Sequence, residues 1–300
     1  NPQDESAAEK LSMLFEQSER FQDLREFMLD QLNTAYSDDK RIGILKSLAT
    51  LEETKFKDMD DAIGHLNDII MIRPDDEEVT ESLKNLYKRT ERWQDLVDLL
   101  EQNTDRARDN NNTALELSLL VQIGEILDEK LDDPERATDI YERVLYTDSE
   151  HTRALSALSR LYEAKSDWEK CIEVLNKAAS SGKGDKDEAE VHYRLARLYL
   201  NQMEDKERAA EELRVAVRQD PSHMEANREL MKYCKSTGDY QGLLESLLRE
   251  EENADDKAEK VALLIEIAAV YSSNLGDERN AVRALEKARD LTPEKVDVLL

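Results

Sequence analysis

"RLYEAKSDW" at residues 160–168 repeats, with the same spacing of Leu, Tyr and Trp, the phrase "NLYKRTERW" at residues 85–93. Aligning the aromatic that ends the phrase gives Phe21, Trp93, Trp168 and Tyr240, at intervals of 72, 75 and 72 residues. A second anchor, the alanine in "MDDAI", "PERAT", "KERAA" and "ERNAV", falls at Ala62, Ala137, Ala209 and Ala281, at intervals of 75, 72 and 72. The whole chain is periodic, and both series carry the same three-residue insertion.

Each period holds two helical hairpins. In the alanine-anchored one, Leu45, Leu48 and Ala49 recur as Leu120, Ile123 and Gly124, as Leu195, Ala196 and Tyr199, and as Leu264, Ile267 and Ala268. Spacings of three, four and seven put these residues on one face of a helix. After a turn, Ala62 with Leu66, Ala137 with Tyr141, Ala209 with Leu213 and Ala281 with Leu285 stripe a second helix. Pro74, Pro221 and Pro293 close three of these units, since proline stops a helix or begins the next. In the other hairpin Leu158 and Tyr162 stripe the first helix, Trp168 opens the second, and Leu175 continues it. Such a hairpin cannot bury its apolar stripe alone, so each needs a neighbour with a complementary one. Small Gly124, Ala196 and Ala268 let helices approach, while Trp93, Trp168 and Tyr199 are expected to fill the gaps between units. On that expectation Trp168→Ala costs about 3–5 kcal/mol, and Ala209→Leu about 1–3 kcal/mol through overpacking.

Composition agrees. Of the 300 residues 39% are apolar and 37% charged, with eight Gly and five Pro, which favours helix throughout and leaves little turn chemistry for a sheet. No apolar run is long enough to cross a bilayer. The formal net charge of -27 repels polyanions, so neither nucleic acid nor an anionic membrane is expected as a partner. "NPQDESAAEK" lacks both an initiator Met and an apolar leader, so a fragment of a longer, cytoplasmic protein is expected.

The order Leu-Ala-x-x-Tyr, Ala-x-x-x-Leu, Pro, as in Leu195 to Pro221 and Ile267 to Pro293, resembles the tetratricopeptide repeat, a helix-turn-helix unit of about thirty-four residues. The alternation of a "DPERA"-type turn with a Leu-Tyr-x5-Trp unit is similar to that of large bacterial tetratricopeptide arrays. The resemblance implies an all-α solenoid, a right-handed superhelix of tandem hairpins over 5–35, 40–73, 77–108, 115–148, 152–181, 187–220, 224–253 and 257–291, with a ninth helix starting at 293–300. It is read as a single domain spanning residues 1–300.

Residues that could carry chemistry read as structural. His65, His151, His192 and His223 lack any metal-binding spacing, and His192 occupies a packing position. Asp60-Asp61 and Asp132-Asp133 lack the alternating oxygen ligands, glycine and terminal Glu of a calcium loop. Cys171 and Cys234 fall on core positions, where a thiol behaves as a small hydrophobe. The acidic runs "DDEEV", "DKDEAE" and "REEENADDK" read as solvated turns and helix starts, the last as a mobile loop. No catalytic, cofactor or metal site is expected, and the chain is read as a non-enzyme.

The resemblance further implies that the first helix of each hairpin lines a concave groove. Carried over by position, the lining includes Lys46, Glu78, Glu81 and Val121 in the first half. In the second half Arg153, Arg160, Tyr193, Arg197, Arg228, Lys232 and Lys235 gather on that wall, in an otherwise acidic molecule. Two readings stand: the cations pair with neighbouring glutamates, or they accept an acidic peptide beside Tyr193. The family's clamp for peptide C-termini needs Asn where this chain has Ala157, Arg194 and Glu229, so that activity is not implied. The function expected is a protein or peptide-binding scaffold, the alternative being an accessory region of a larger enzyme or secretion or motility assembly. Self-association through apolar end faces such as "VDVLL" is a further expectation.

Overall fold

The computed structural model describes residues 5–180 and 186–292. The expected ninth helix, Pro293 and the run "VDVLL" lie outside the described residues. Among those described, every regular element is helical. In order they are α1 (Glu5–Gln17), α2 (Phe21–Thr34), α3 (Asp38–Leu51), α4 (Met59–Ile72), α5 (Glu77–Arg89), α6 (Trp93–Asp109), α7 (Thr113–Glu129) and α8 (Pro134–Thr147). Then follow α9 (Thr152–Ala164), α10 (Trp168–Ala179), α11 (Lys186–Asn201), α12 (Lys206–Gln219), α13 (Met224–Thr237), α14 (Tyr240–Asn253), α15 (Lys257–Ala269) and α16 (Glu278–Leu291). Helices α3 and α15 each run on into a π-helical turn, Glu52–Phe56 and Val270–Leu275. The chain folds as an all-α solenoid of tandem helix-turn-helix hairpins. Its contacts cluster into two compact units, Asn1–Ile140 and Tyr141–Leu300.

Local chemistry explains where helices start and stop. The side chains of Ser37, Asp58, Asp76, Asn112, Asp167, Asp205, Asp239, Asp256 and Asp277 each accept a hydrogen bond from the backbone N–H three residues on. Each thus satisfies a donor that a helix start leaves orphaned. Two of the acidic stretches singled out above join this pattern: Asp133 of Asp132-Asp133 accepts from the Arg136 N–H at 3.1 Å, and Asp76 of "DDEEV" from Val79 at 3.1 Å. The tight turns close with a left-handed residue, Glu19, Lys57, Glu91, Asp132, Ser166 and Glu204, or with Gly238 or Gly276.

Within the first unit, consecutive helices from α1 to α7 pack on one another. Its core is the alternating stripe read from the sequence: Leu45, Leu48, Ala62, Ile63, Leu83, Leu96 and Leu100 are all buried. The first hairpin is tied down by Arg25, whose Nε lies 2.6 Å from Glu52 Oε1 and whose Nη2 meets Asp61. Its guanidinium also sits 5.4 Å from the Phe56 ring centre. Glu52 is fully buried, and neither carboxylate oxygen accepts a well-aligned hydrogen bond, so the Arg25 contact is an ion pair without directed geometry. Burial raises the Glu52 carboxyl above its usual range, against the opposing pull of Arg25.

The second unit repeats the rule. Helices α9 to α16 pack in chain order, around buried Leu155, Leu158, Leu175, Leu195, Ala209, Leu213, Leu247 and Ile267. Ala196, Ala209 and Ala226 are fully buried, as close helix approach requires. Cys171 and Cys234 are buried free thiols, each pushed up to about 11 by burial.

Two expectations are corrected. Trp93 and Trp168 are half-buried, each at the first position of its helix, whereas Leu96 and Cys171 one turn later are fully buried. The expected cost of Trp168→Ala therefore falls to about 1–3 kcal/mol. "REEENADDK" is no loop over its first half: residues 249–253 finish α14, and Glu250 is only 7% exposed. It continues the stripe of Leu243 and Leu247 at spacing seven, and Asn227 Nδ2 (3.1 Å) and Arg228 Nε (2.7 Å) satisfy it there.

Candidate interaction surface

The residues singled out in the second half stand on the first helices of consecutive hairpins: Arg153 and Arg160 on α9, Tyr193 and Arg197 on α11, and Arg228, Lys232 and Lys235 on α13. All six cations are exposed because their positions fall between the buried stripe residues, as with Arg197 next to buried Ala196 and Leu198. Side chains link these helices directly. Arg194 on α11 donates from Nη1 to Ser159 Oγ at 3.1 Å and from Nη2 to Glu163 at 3.0 Å, both on α9. Tyr193 on α11 packs against His223, the N-cap of α13, with ring centres 4.7 Å apart at 59°. Lys235 on α13 reaches Glu266 on α15 at 2.7 Å.

Three of the cations form ion pairs with identified carboxylates. Arg228 pairs with Glu250 at 2.7 Å, Lys232 with Glu229 at 2.6 Å, and Lys235 with Glu266. Arg153 and Arg160 also have partners within the chain. The pairing reading thus describes the resting surface. The Lys232 and Lys235 pairs are exposed on both sides, so each is worth at most about 1 kcal/mol and yields readily to another carboxylate, whereas Arg228 is held by the buried Glu250. The Tyr193 phenol is raised by burial, with the neighbouring Arg197 charge acting in the opposite direction.

Beside this wall, α9, α10 and α11 enclose a cavity of about 410 Å³. Leu155, Leu175, Ala178 and Val191 supply apolar lining, and Ser156, Ser159, Glu190 and Arg194 polar lining. In the first unit the equivalent positions are self-paired: Lys46 lies 2.6 Å from Glu78 and 3.2 Å from Asp76, and Glu81 is held below its usual range by Lys84. Val121, expected on the groove wall, is instead 5% exposed, because the longer α7 is buried over Leu119, Leu120, Val121 and Ile123 together.

Among the described residues no group of three His, Cys, Asp or Glu side chains is arranged to hold a metal ion. His192 lies between two carboxylates, Nδ1 2.6 Å from Glu212 and Nε2 3.8 Å from Glu188, tying α11 to α12. Among the described residues no helix is long and apolar enough to cross a membrane. Sequence reading missed Glu250 and the His223 contact with Tyr193. The first had a signal, an acid in register with Leu243 and Leu247; the second joins residues on different helices and had none.

The family model described as tetratricopeptide repeat matches residues 190–223, one repeat length covering most of α11, all of α12 and the approach to α13. No curated protein matches the chain. Similar solved structures include YrrB, described as a tetratricopeptide protein with an unusual peptide-binding site, at 19% identity and a TM-score of 0.40, covering 64% of this chain and 93% of that one. A tetratricopeptide repeat protein from Parabacteroides merdae is 14% identical with a TM-score of 0.38, covering 85% and 94%. MamA from Desulfovibrio magneticus is 16% identical with a TM-score of 0.37, covering 74% and 97%.

Proposed function

The chain is a tetratricopeptide-repeat protein, and from that premise we propose that it is a non-catalytic interaction scaffold that binds a protein or peptide segment. The segment lies across the first helices of the second unit, α9, α11, α13 and α15. The observation that supports this most is the combination on that surface of exposed cations, Lys232 and Lys235 among them held in weak surface pairs, with a half-buried tyrosine, next to a partly apolar cavity. An acidic segment would exchange Glu229 and Glu266 for its own carboxylates at little cost, while Tyr193 offers an amphipathic anchor. Net charge opposes such a partner at long range, so association should be slow and should speed up as salt screens the repulsion.

The test places a photo-crosslinking residue at Arg197, on the proposed face, or at Arg218, exposed on the second helix α12, in the intact protein. Adducts that form from position 197 and not from 218, and that weaken at least tenfold when Arg160 and Lys232 are both changed to Glu, support the surface. Equal labelling from 218, or no change on charge reversal, removes it.

A further inference from the structure

The N-cap before the first helix of the aromatic hairpins is Asp76 in one repeat, His151 in the next and His223 in the one after, at intervals of 75 and 72 residues. His223 Nδ1 accepts from the Ala226 N–H at 3.3 Å, and Nε2 lies 3.3 Å from Glu190 Oε2. A ring nitrogen that accepts a hydrogen bond carries no proton, so this geometry belongs to neutral imidazole with its hydrogen on Nε2, donating to Glu190. Protonation places a hydrogen on Nδ1. That nitrogen can then no longer accept from Ala226, and a positive charge stands at a helix N-terminus whose dipole has the same sign.

The surroundings offer a charged ring other partners. From α11, Glu190 faces Nε2 and the Tyr193 ring lies 4.7 Å from the imidazole. On α13 itself Glu225 Oε2 is 3.7 Å from Nδ1. At the C-cap of α12, Asp220 is held low chiefly by the Ser222 hydroxyl, with smaller contributions from Lys186 and His223. Helix α14 meets the same turn through uncharged Asn253, whose Nδ2 is 3.5 Å from the Pro221 carbonyl. An imidazolium therefore finds a carboxylate for each N–H, Glu190 and Glu225, and an aromatic ring beside it.

We propose that His223 is a pH-operated cap: on acidification Nδ1 exchanges the Ala226 backbone for Glu225, the first turn of α13 loosens, and the contact with Tyr193 changes. As regulation of binding this rests on the surface proposed above, since Tyr193 belongs to it. Histidine makes its charge change between about pH 5 and 8, whereas the aspartate of the equivalent cap, Asp76, keeps its form to much lower pH.

The experiment follows the His223 ring by NMR and the Ala226 amide by hydrogen exchange, in the whole chain, from pH 8 to pH 5. After correction for the intrinsic pH dependence, protection at Ala226 falls roughly tenfold in step with ring titration. In His223→Asn, which caps without titrating, it stays level. A ring that titrates while Ala226 protection holds, or an Asn variant that responds like the parent, overturns the switch. No ligand is needed, so failure here leaves the binding surface standing, and failure of crosslinking at Arg197 leaves the switch standing.

Discussion

Single positions carry consequences that packing density makes sharp. A Cβ added at Gly242 would come within 2.5 Å of Asp239 Oδ2, the cap that begins α14, and 3.0 Å of Cys234 Sγ on α13. Gly242→Ala should therefore cost about 1–3 kcal/mol by displacing the cap, read as a lower urea midpoint at unchanged slope. Ser166 has the opposite character. It holds φ of +58° in the turn between α9 and α10, where Gly238 and Gly276 serve other hairpins. Ser166→Gly removes the left-handed penalty and should raise stability by about 0.5–1 kcal/mol, visible as a higher Tm.

At the scale of elements, caps and buried charges set the pH response. The Gly242 N–H chiefly, together with Arg214, holds the Asp239 carboxyl below its ordinary value. A depressed carboxyl contributes stability above the unfolded value, near 3.8, that is lost as pH falls through the folded one. Urea unfolding at pH 7 and pH 3 should show the parent losing more than Asp239→Asn, which caps in both. The junction of the first two hairpins depends on one cation. Arg25→Ala would strand buried Glu52 without a counter-charge and should cost about 3 kcal/mol. Loss of protection in α1 and α2 ahead of α5 in hydrogen exchange would check it; uniform loss across the unit would contradict a local role.

For the whole molecule, nearest-neighbour packing makes stability a property of the stack. A peptide of residues 152–180, α9 and α10 alone, should show little helix by circular dichroism, because Leu155, Leu158 and Leu175 bury against helices it lacks. The sequence by itself determined the helical hairpins, since a stripe at spacings of three, four and seven and a period near 72 residues can be satisfied by little else. It also placed Cys171, Ala209 and Leu158 in the core and the six cations of α9, α11 and α13 on exposed positions between stripe residues. Only the tertiary structure decided which charges meet. Arg228 with Glu250, Lys235 with Glu266, Arg25 with Glu52 and Tyr193 with His223 join residues 22 to 31 positions apart on different elements. Periodicity reports which way a residue faces on its own helix, and says nothing of what the next helix brings to meet it.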